Sequence, residues 1–398
     1  MTAVAVSVVI PARNAARWAE PVVATLRAQT FTGWEAIVVD DGSTDDTAAA
    51  FERSFAGDPR FRLIRQPASG VSTARNTGIA AANGDWLHFL DADDRIDPTL
   101  FARCADVVCA DPTVEFVRCG WARELPSGRW QPEVHTDLDK AEADMFPVLA
   151  VRCPIPIHGY VVRRSVVSEV GGFDTELVVA EDWDLLVRLA RRGVRLRRIA
   201  ETLAFYRLTE GSASRRDFFR VCADTRAVVT RAHSNDPRVP TPRPEYAAGA
   251  PASCLASVLD GIVLWAVACA VGAGAPYRDV LDAFPRAAPL SPDAIAESLF
   301  YSVPVAAGAL RSEWPHLWPR RSERVDAAIA DLAVWAGGAS LGRPIGRSLE
   351  RLIVIDALKR PRTLRTASAV LRSPRLARTA ITLAAGRATR TVRRQSQL

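Results

Sequence analysis

Trp86 to Pro98 reads WLHFLDADDRIDP, and no other stretch limits the possible folds of this chain so sharply. Four bulky apolar residues, Trp86, Leu87, Phe89 and Leu90, run straight into Asp91, Asp93 and Asp94, with Asp97 close behind. A short run of that kind reads as a buried strand. Carboxylates at the carboxyl end of such a strand stand where open α/β sheets bind ligands. Like charges so close repel one another and resist burial unless something positive joins them. A divalent cation meets that need, because carboxylate oxygens suit Mg²⁺ or Mn²⁺, and Mg²⁺ commonly adds phosphate oxygens to its shell. The competing reading is a solvated acidic turn leading into the helix that Pro98 begins.

The residues before this stretch supply a sheet for it. Val4 to Ile10 is an almost unbroken β-branched run, the mark of a strand covered on both faces, and Pro11 to Asn14 breaks it. Trp18, Val22, Val23 and Leu26 then share one helical face. A second buried strand, Ala36 to Val39, runs into DDGSTDDT (Asp40 to Thr47). There Gly42 permits a tight turn, and Ser43 or Thr44 can cap the helix towards Phe55. A third strand, Phe61 to Arg65, precedes a Gly-led loop and the helix Ser72 to Ala82. Strand–helix alternation of this kind predicts a mostly parallel sheet with helices on both faces.

Two of these strand ends carry further polar groups. Asp40 and Asp41 follow the second strand; Gly70, Ser72, Thr73, Arg75 and Asn76 follow the third. Carboxylates accept base or ribose donors, an arginine faces phosphate or base, and a helix N-terminus attracts anions. Taken singly, each is equally well a capped turn or a surface helix charge. No GxGxxG follows the first strand, which counts against a dinucleotide oxidoreductase.

Beyond Pro112 the alternation loosens, with a strand expected over Val114 to Cys119 and a helix over Asp139 to Ala150. A further helix begins at Glu181 to Asp184, with Leu185, Leu186 and Leu189 facing inward. Acidic residues in a first turn complement the helix dipole. The same dipole would keep Asp182 ionised, as a general base must be, and Gly171 and Gly172 would let backbone approach a ligand closely. The net charge of +6 comes with no nucleic-acid module, so no nucleic-acid partner is expected. Seven cysteines without a CxxC pair and five scattered histidines argue for reduced thiols and against zinc. The N-terminus lacks the basic start of a secretory signal, and a cytoplasmic location is expected.

VSVVIPARN, VVDDGSTDDT, GVSTARNTGIAAANGDWLHFLDADD, GGFD and EDWDL, in this order, resemble a family 2 glycosyltransferase over about Ala3 to Ser214. The resemblance implies a GT-A fold, a Rossmann-like mixed sheet that binds a nucleotide-diphospho-sugar, and an inverting transfer. It implies that Pro11 and Asn14 lie beside the nucleobase, that Asp41 accepts from the base (most often uracil), and that Arg75 lies in the segment closing on the nucleotide. Asp91 and Asp93 match the DxD motif: Asp93 as ligand to Mg²⁺ or Mn²⁺, Asp91 towards ribose and metal. Asp182 matches the catalytic base, with Glu181 beside it orienting acceptor or sugar. The implied partners are a nucleotide sugar, UDP-linked above all, and a glycan or lipid-linked acceptor, in bacterial cell-surface polysaccharide synthesis. One departure stands out. Where the family often carries YRxHxxSxS, this chain reads YRLTEGSAS (Tyr206 to Ser214), with Thr209 at the histidine position. A catalytically degenerate sugar-nucleotide binder is the alternative.

The resemblance gives no motif beyond Arg215. The expected organisation is a GT-A domain over 1–235, a Pro-rich linker or extended strap over 236–252 and an α-helical region over 253–398. Helical periodicity covers Leu255 to Val271, Asp293 to Ala307 and Val325 to Trp335. Ile262 to Ala275 falls short of the ~20 residues a spanning helix needs and reads as a buried helix. Trp314, Trp318 and Trp335 read as core or interface residues. The tail alternates arginines from Arg360 to Arg394 with Leu364, Val370, Leu371, Leu376, Ile381 and Leu383. Such a tail is either a solvated basic extension or an amphipathic contact with the inner face of a membrane.

Overall fold

The computed structural model describes residues 5–124, 128, 130–133, 144–207, 217–309, 313–359, 369–370 and 372–383. The chain divides into two compact units, Met1–Thr209 with Asp224–Leu255, and Glu210–Ala223 with Ala256–Leu398.

The first unit is built on a nine-stranded sheet. In chain order its strands are β1 (Val6–Ala12), β2 (Trp34–Asp41), β3 (Phe61–Gln66), β4 (Trp86–Phe89), β5 (Arg95–Ile96), β6 (Phe116–Glu124), β7 (Trp130–Glu133), β8 (Tyr160–Arg163) and β9 (Leu196–Arg207). They lie in the order β3-β2-β1-β4-β8-β6-β9-β5, with β7 on the side of β6. The first four are parallel, as the alternation predicts, and their middles are wholly buried from Val8 to Ile10 and from Ala36 to Val39. Past β4 the sheet turns mixed: β8 runs antiparallel to β4 and to β6, and β9 runs parallel to β6.

Pro11 does not break the first strand; it lies inside β1, paired with Val39 of β2. The Val9 carbonyl accepts from Leu90 N–H of β4 at 3.0 Å, and β1–β4 pairing ends at Val9. Backbone groups two residues apart point to the same side. The donor that Pro11 lacks would therefore face the gap where β4 gives way to the Asp91 turn, so no ladder bond is lost.

Helices α1 (Ala19–Arg27), α2 (Thr47–Phe55), α3 (Val71–Ala81) and α4 (Leu100–Ala110) connect the first half of the sheet. Val22, Val23 and Leu26 of α1 are fully buried, and Phe55 stacks on Phe61 at 5.1 Å to close the β3 edge. A Cβ on Gly78 would stand 2.3 Å from Val9 Cγ1, so α3 rests directly on β1 and presents Arg75 and Asn76 near the strand ends. Shorter helices α5 (Phe146–Leu149) and α6 (Arg164–Glu169) lead to α7 (Glu181–Arg192), and α8 (Phe218–Ala232) follows β9. Of the helix expected over 139–150, the described part is helical only over α5, and residues 139–143 lie outside the described residues.

The segment read as a linker, 236–252, packs on this unit. Arg243 N–H donates to the Arg191 carbonyl at 2.8 Å, Thr241 Oγ1 to Glu169 at 2.8 Å, and the Tyr246 hydroxyl to Asp144. It runs through turns, with a short 3-10 turn over Pro244–Tyr246 that Pro244 opens.

The second unit is helical: α9 (Leu255–Ala273), α10 (Arg278–Ala283), α11 (Pro292–Ala306), α12 (Trp314–Trp335) and α13 (Gly342–Lys359). α12 starts at Trp314, well before Val325, with Pro315 in its first turn, where the missing donor costs nothing. Trp314 and Trp318 are buried, and Trp335 donates to the Phe284 carbonyl at 2.9 Å. The apolar helix is longer than expected. By length and composition residues 252–273 reach what a membrane crossing needs, although half of the window is buried. Within it Asp260 is fully buried and accepts from the N–H groups of Ala287 and Ala288, a fixed protein environment for its charge. In the tail, Arg375 pairs with Asp326 at 2.6 Å and Glu350 at 2.7 Å; Arg360 to Arg365 and Arg387 to Arg394 lie outside the described residues.

Candidate active site

Parallel β1, β2 and β4 send their carboxyl ends to one edge, and the candidate residues gather there. Asn14 follows β1 in the left-handed region, at φ +52°, which asparagine tolerates. Its Oδ1 accepts from Thr44 N–H at 2.8 Å, while its own N–H donates to Ser43 Oγ at 3.0 Å. Ser43 and Thr44 therefore bind the β1 loop instead of capping α2, whose N-cap is Asp46 without a side-chain cap bond.

Asp41, at the end of β2, is buried at 4% exposure. Its Oδ1 accepts from Gln66 Nε2 and Ser69 N–H, both at 2.8 Å, and its Oδ2 accepts from Gly70 N–H at 2.9 Å. Arg13 Nη1 lies 4.0 Å from the same Oδ2. Asp41 thus shapes the loop before α3.

Arg75 joins two motifs that lie far apart in the chain. Its Nη2 donates to Asp91 Oδ1 at 2.7 Å and its Nη1 to Glu181 Oε1 at 2.5 Å. Only 2% exposed, it also lies 5.2 Å from the Phe173 ring centre. Its guanidinium lies between two carboxylates, which lets such a charge stay buried at tolerable cost.

Asp182 differs from its expectation. Burial pushes its carboxyl up to about 7, the Glu181 charge adds to the rise, and Arg75 and the Trp183 N–H pull the other way. A helix dipole contributes about 0.3–1 kcal/mol. A rise of about three units corresponds to about 4 kcal/mol. Burial therefore outweighs the dipole, and the carboxyl stands half-ionised near neutrality.

On the opposite flank, Asp94 Oδ2 lies 3.0 Å from Nδ1 of His158, and Asp94 Oδ1 accepts from Arg207 N–H at 2.7 Å. His158 is fully buried and stacks near Tyr206. Burial works against its charge, but Asp94 first, then Asp91 and Asp93, hold the ring above its ordinary value. His158 is thus a packed, ion-paired histidine facing the acidic turn. Thr209 and Glu210 lie outside the described residues.

Gly172 makes a close approach, but to protein. A Cβ there would meet Asn76 Oδ1 at 2.7 Å; at Gly171 nothing lies within 4 Å. Asn76 exchanges two hydrogen bonds of 2.8 Å with the backbone of Phe173, which locks the GGFD loop against α3.

Asp91 and Asp93, two residues apart on one turn, fit a hard divalent cation. The Asp91 side chain is 32% exposed, and only its Oδ1 is shown taken, by Arg75. Among the described residues no group of three or more His, Cys, Asp or Glu could hold a metal by itself. Two carboxylates plus water and phosphate oxygens is the set Mg²⁺ commonly uses, and it differs from a zinc site.

The pattern of Glycosyl transferase family 2 matches residues 7–171. Over this stretch, which holds the first four strands and the Asp91 turn, the chain is similar to family 2 glycosyltransferases. Two curated proteins are similar to parts of this chain. The pre-mycofactocin glycosyltransferase of Mycobacterium tuberculosis (strain CDC 1551 / Oshkosh) is 35% identical over 204 residues, 48% of this chain and 40% of that one. Escherichia coli chondroitin synthase is 37% identical over 101 residues, 25% of this chain and 15% of that one. The chain thus spans less than half the length of either relative. Among solved structures, S. aureus TarS 1-349 in complex with UDP-GlcNAc superposes with a TM-score of 0.53 at 16% identity, over 84% of this chain and 92% of that one. The shared architecture is the GT-A fold.

Several residues of this candidate site escape a motif reading. Asp94 stands in the acidic run, but nothing in the sequence links it to His158. Tyr160 is fully buried, its hydroxyl has no hydrogen-bond partner among the described residues, and burial followed by the Asp182 charge pushes it well above its ordinary value. Cys153 is held as a thiol by burial and by Asp182. Only their place in space links these residues to the carboxylates.

Proposed function

We propose that this protein transfers a sugar from a UDP-sugar to a hydroxyl of a glycan or lipid-linked acceptor, with inversion at the anomeric carbon. The observation that carries this reading is the Asp91–Arg75–Glu181 bridge, which ties the donor-side turn to the helix bearing Asp182. A carboxyl near 7 is matched to general-base work at neutral pH. Asp182 takes the proton of the acceptor hydroxyl, whose oxygen forms the new bond to the anomeric carbon from the face opposite the leaving group. The bond from that carbon to the diphosphate oxygen breaks, and the diphosphate leaves with the electron pair. Glu181, fixed by Arg75, orients the sugar or acceptor beside the base. A divalent cation, held by Asp93 and Asp91, would offset the charge growing on the diphosphate.

Asp41 supports a pyrimidine base. A carboxylate offers about four acceptor positions. Three are used by Gln66, Ser69 and Gly70, which leaves one, on Oδ2. One position suits the single N3–H of uracil; the paired N1–H and N2–H of guanine ask for two. The UDP-GlcNAc bound by TarS and the likeness to chondroitin synthase agree with a UDP-sugar and a polysaccharide acceptor made for the cell surface.

The test is a screen of UDP-, GDP- and TDP-sugars for diphosphate release, with Mn²⁺ or Mg²⁺ and with chelator. Release of UDP that chelator suppresses and that Asp93→Asn abolishes is expected. Chelator-insensitive turnover would remove the cation from the scheme. UDP-sugar binding without turnover, even with acceptor extracts, would favour the degenerate binder.

A further inference from the structure

We propose that Asp224 is a positioning residue for the turn that carries Glu181 and Asp182, acting through the backbone of Val178 and Val179. The inference rests on the catalytic role given to Asp182 above. Asp224 lies in α8, well past residue 171, where the family match ends. It is 6% exposed, and its Oδ2 accepts from Val178 N–H at 3.0 Å and from Val179 N–H at 3.1 Å. Two backbone donors on one ionised oxygen make a charge-assisted clamp, stronger and more directional than neutral hydrogen bonds.

The residue just past the clamp gives the reason for its place. Ala180 takes φ +62°, a left-handed conformation that alanine rarely adopts. Its carbonyl then accepts the first helical bond, from Asp184 N–H at 3.0 Å. Glu181 and Asp182 therefore leave a strained hinge residue, and Asp224 fixes the two peptides before it.

The segment after α8 braces the same turn from behind. Arg238 donates to Asp184 Oδ1 at 2.9 Å and to Asp174 Oδ2 at 3.0 Å. Arg231 reaches Asp174 at 2.7 Å, and Arg188, 1% exposed, spans from Asp184 at 2.9 Å to the Gly172 carbonyl at 2.7 Å. The GGFD loop, the 177–180 turn and the first turn of α7 are thus held by charges from 224–238. A base must lie within hydrogen-bond reach of the proton it takes, and a misplacement of about 1 Å can cost about a hundredfold in rate.

The full chain is compared with Asp224→Ala, Asp224→Asn and Asp224→Glu, reading kcat, KM for the UDP-sugar, UDP affinity by calorimetry and hydrogen exchange across 176–184. Asp224→Ala is expected to lower kcat by about tenfold to a hundredfold with UDP affinity held within about twofold. Asp224→Asn, which keeps an acceptor oxygen, should recover most of the loss. Exchange should quicken over 177–184 and nowhere else. Should the alanine variant fail to fold, Asp224→Glu keeps the charge but displaces it by one methylene, and the same split between kcat and UDP affinity is expected. The proposal is overturned if kcat stays within about twofold of the parent, if UDP affinity falls in step with kcat, or if exchange over 177–184 is unchanged. A parent chain that turns over no UDP-sugar would sink the transferase reading instead, and the exchange result would still decide the brace.

Discussion

Two carboxylate turns of the same chemical make-up face each other across Arg75 and are treated in opposite ways. In the Asp91–Asp94 turn, Asp91 has Arg75 as partner and Asp94 has His158 and the Arg207 N–H. In the Glu181–Asp182 turn Glu181 pairs with Arg75, whereas Asp182 has no ion-pair partner among the described residues and takes the Trp183 N–H beside it. Burial raises both Asp94 and Asp182 above the ordinary carboxylate range; His158 and the Arg207 N–H oppose it at Asp94, whereas at Asp182 the Glu181 charge adds to it and the carboxyl reaches about 7. Surroundings, not residue type, divide the labour.

The strongest attack on that contrast is Asp182→Asn. Transfer is expected to fall by about 10³-fold, with UDP affinity unchanged, read by UDP release and calorimetry. The same variant carries a stability signature. The carboxyl titrates at about 7 in the fold against 3.8 for the free group, so the folded chain holds the proton more tightly. Stability from this group is therefore present below about pH 4 and is lost as pH rises to about 7. Asn does not titrate, so the variant should gain Tm over the parent across that window, with a ceiling of about 4 kcal/mol above it. Melting curves at pH 4 and pH 8 check this; a Tm difference that is equal at both would mean that Asp182 is not the strained carboxylate.

Arg75→Met tests the bridge itself. Removing one partner of a buried ion pair costs about 3–5 kcal/mol, so a large drop in Tm is expected. Arg75 also holds Asp182 down, so its loss should move the acidic limb of the kcat/KM profile to higher pH. A limb that stays in place would separate the two turns electrically. The smallest expected effect lies on the nucleobase side. Asn14→Ala removes the acceptor for Thr44 N–H, worth about 1 kcal/mol, and should raise the donor KM by about fivefold with kcat intact. A change in kcat would mean that the β1 loop reaches the chemistry.

Much of this was legible beforehand. The strands β1 to β4, the helices between them and the carboxylates at their ends follow from apolar runs that stop at charged residues, which is a local property of the chain. The helices of the second unit are legible for the same reason, although the early start of α12 is hidden by two prolines. The rest is not local. The Arg75–Glu181 pair spans 106 positions, so a sequence shows the charge but not its partner. Pro11 read as a strand end because the gap beside it belongs to β4. Gly172 read as a ligand contact because its neighbour Asn76 comes from another helix.

By itself the sequence determined the element order, the parallel half of the sheet and the family 2 motif set, since periodicity and turn chemistry act between neighbours along the chain. The tertiary structure alone decided which carboxylates carry a partner, that burial raises Asp182 to about 7, and that residues 224–238 stand behind the turn before it. Burial and charge pairing depend on distances through space, and those exist only once the chain has folded.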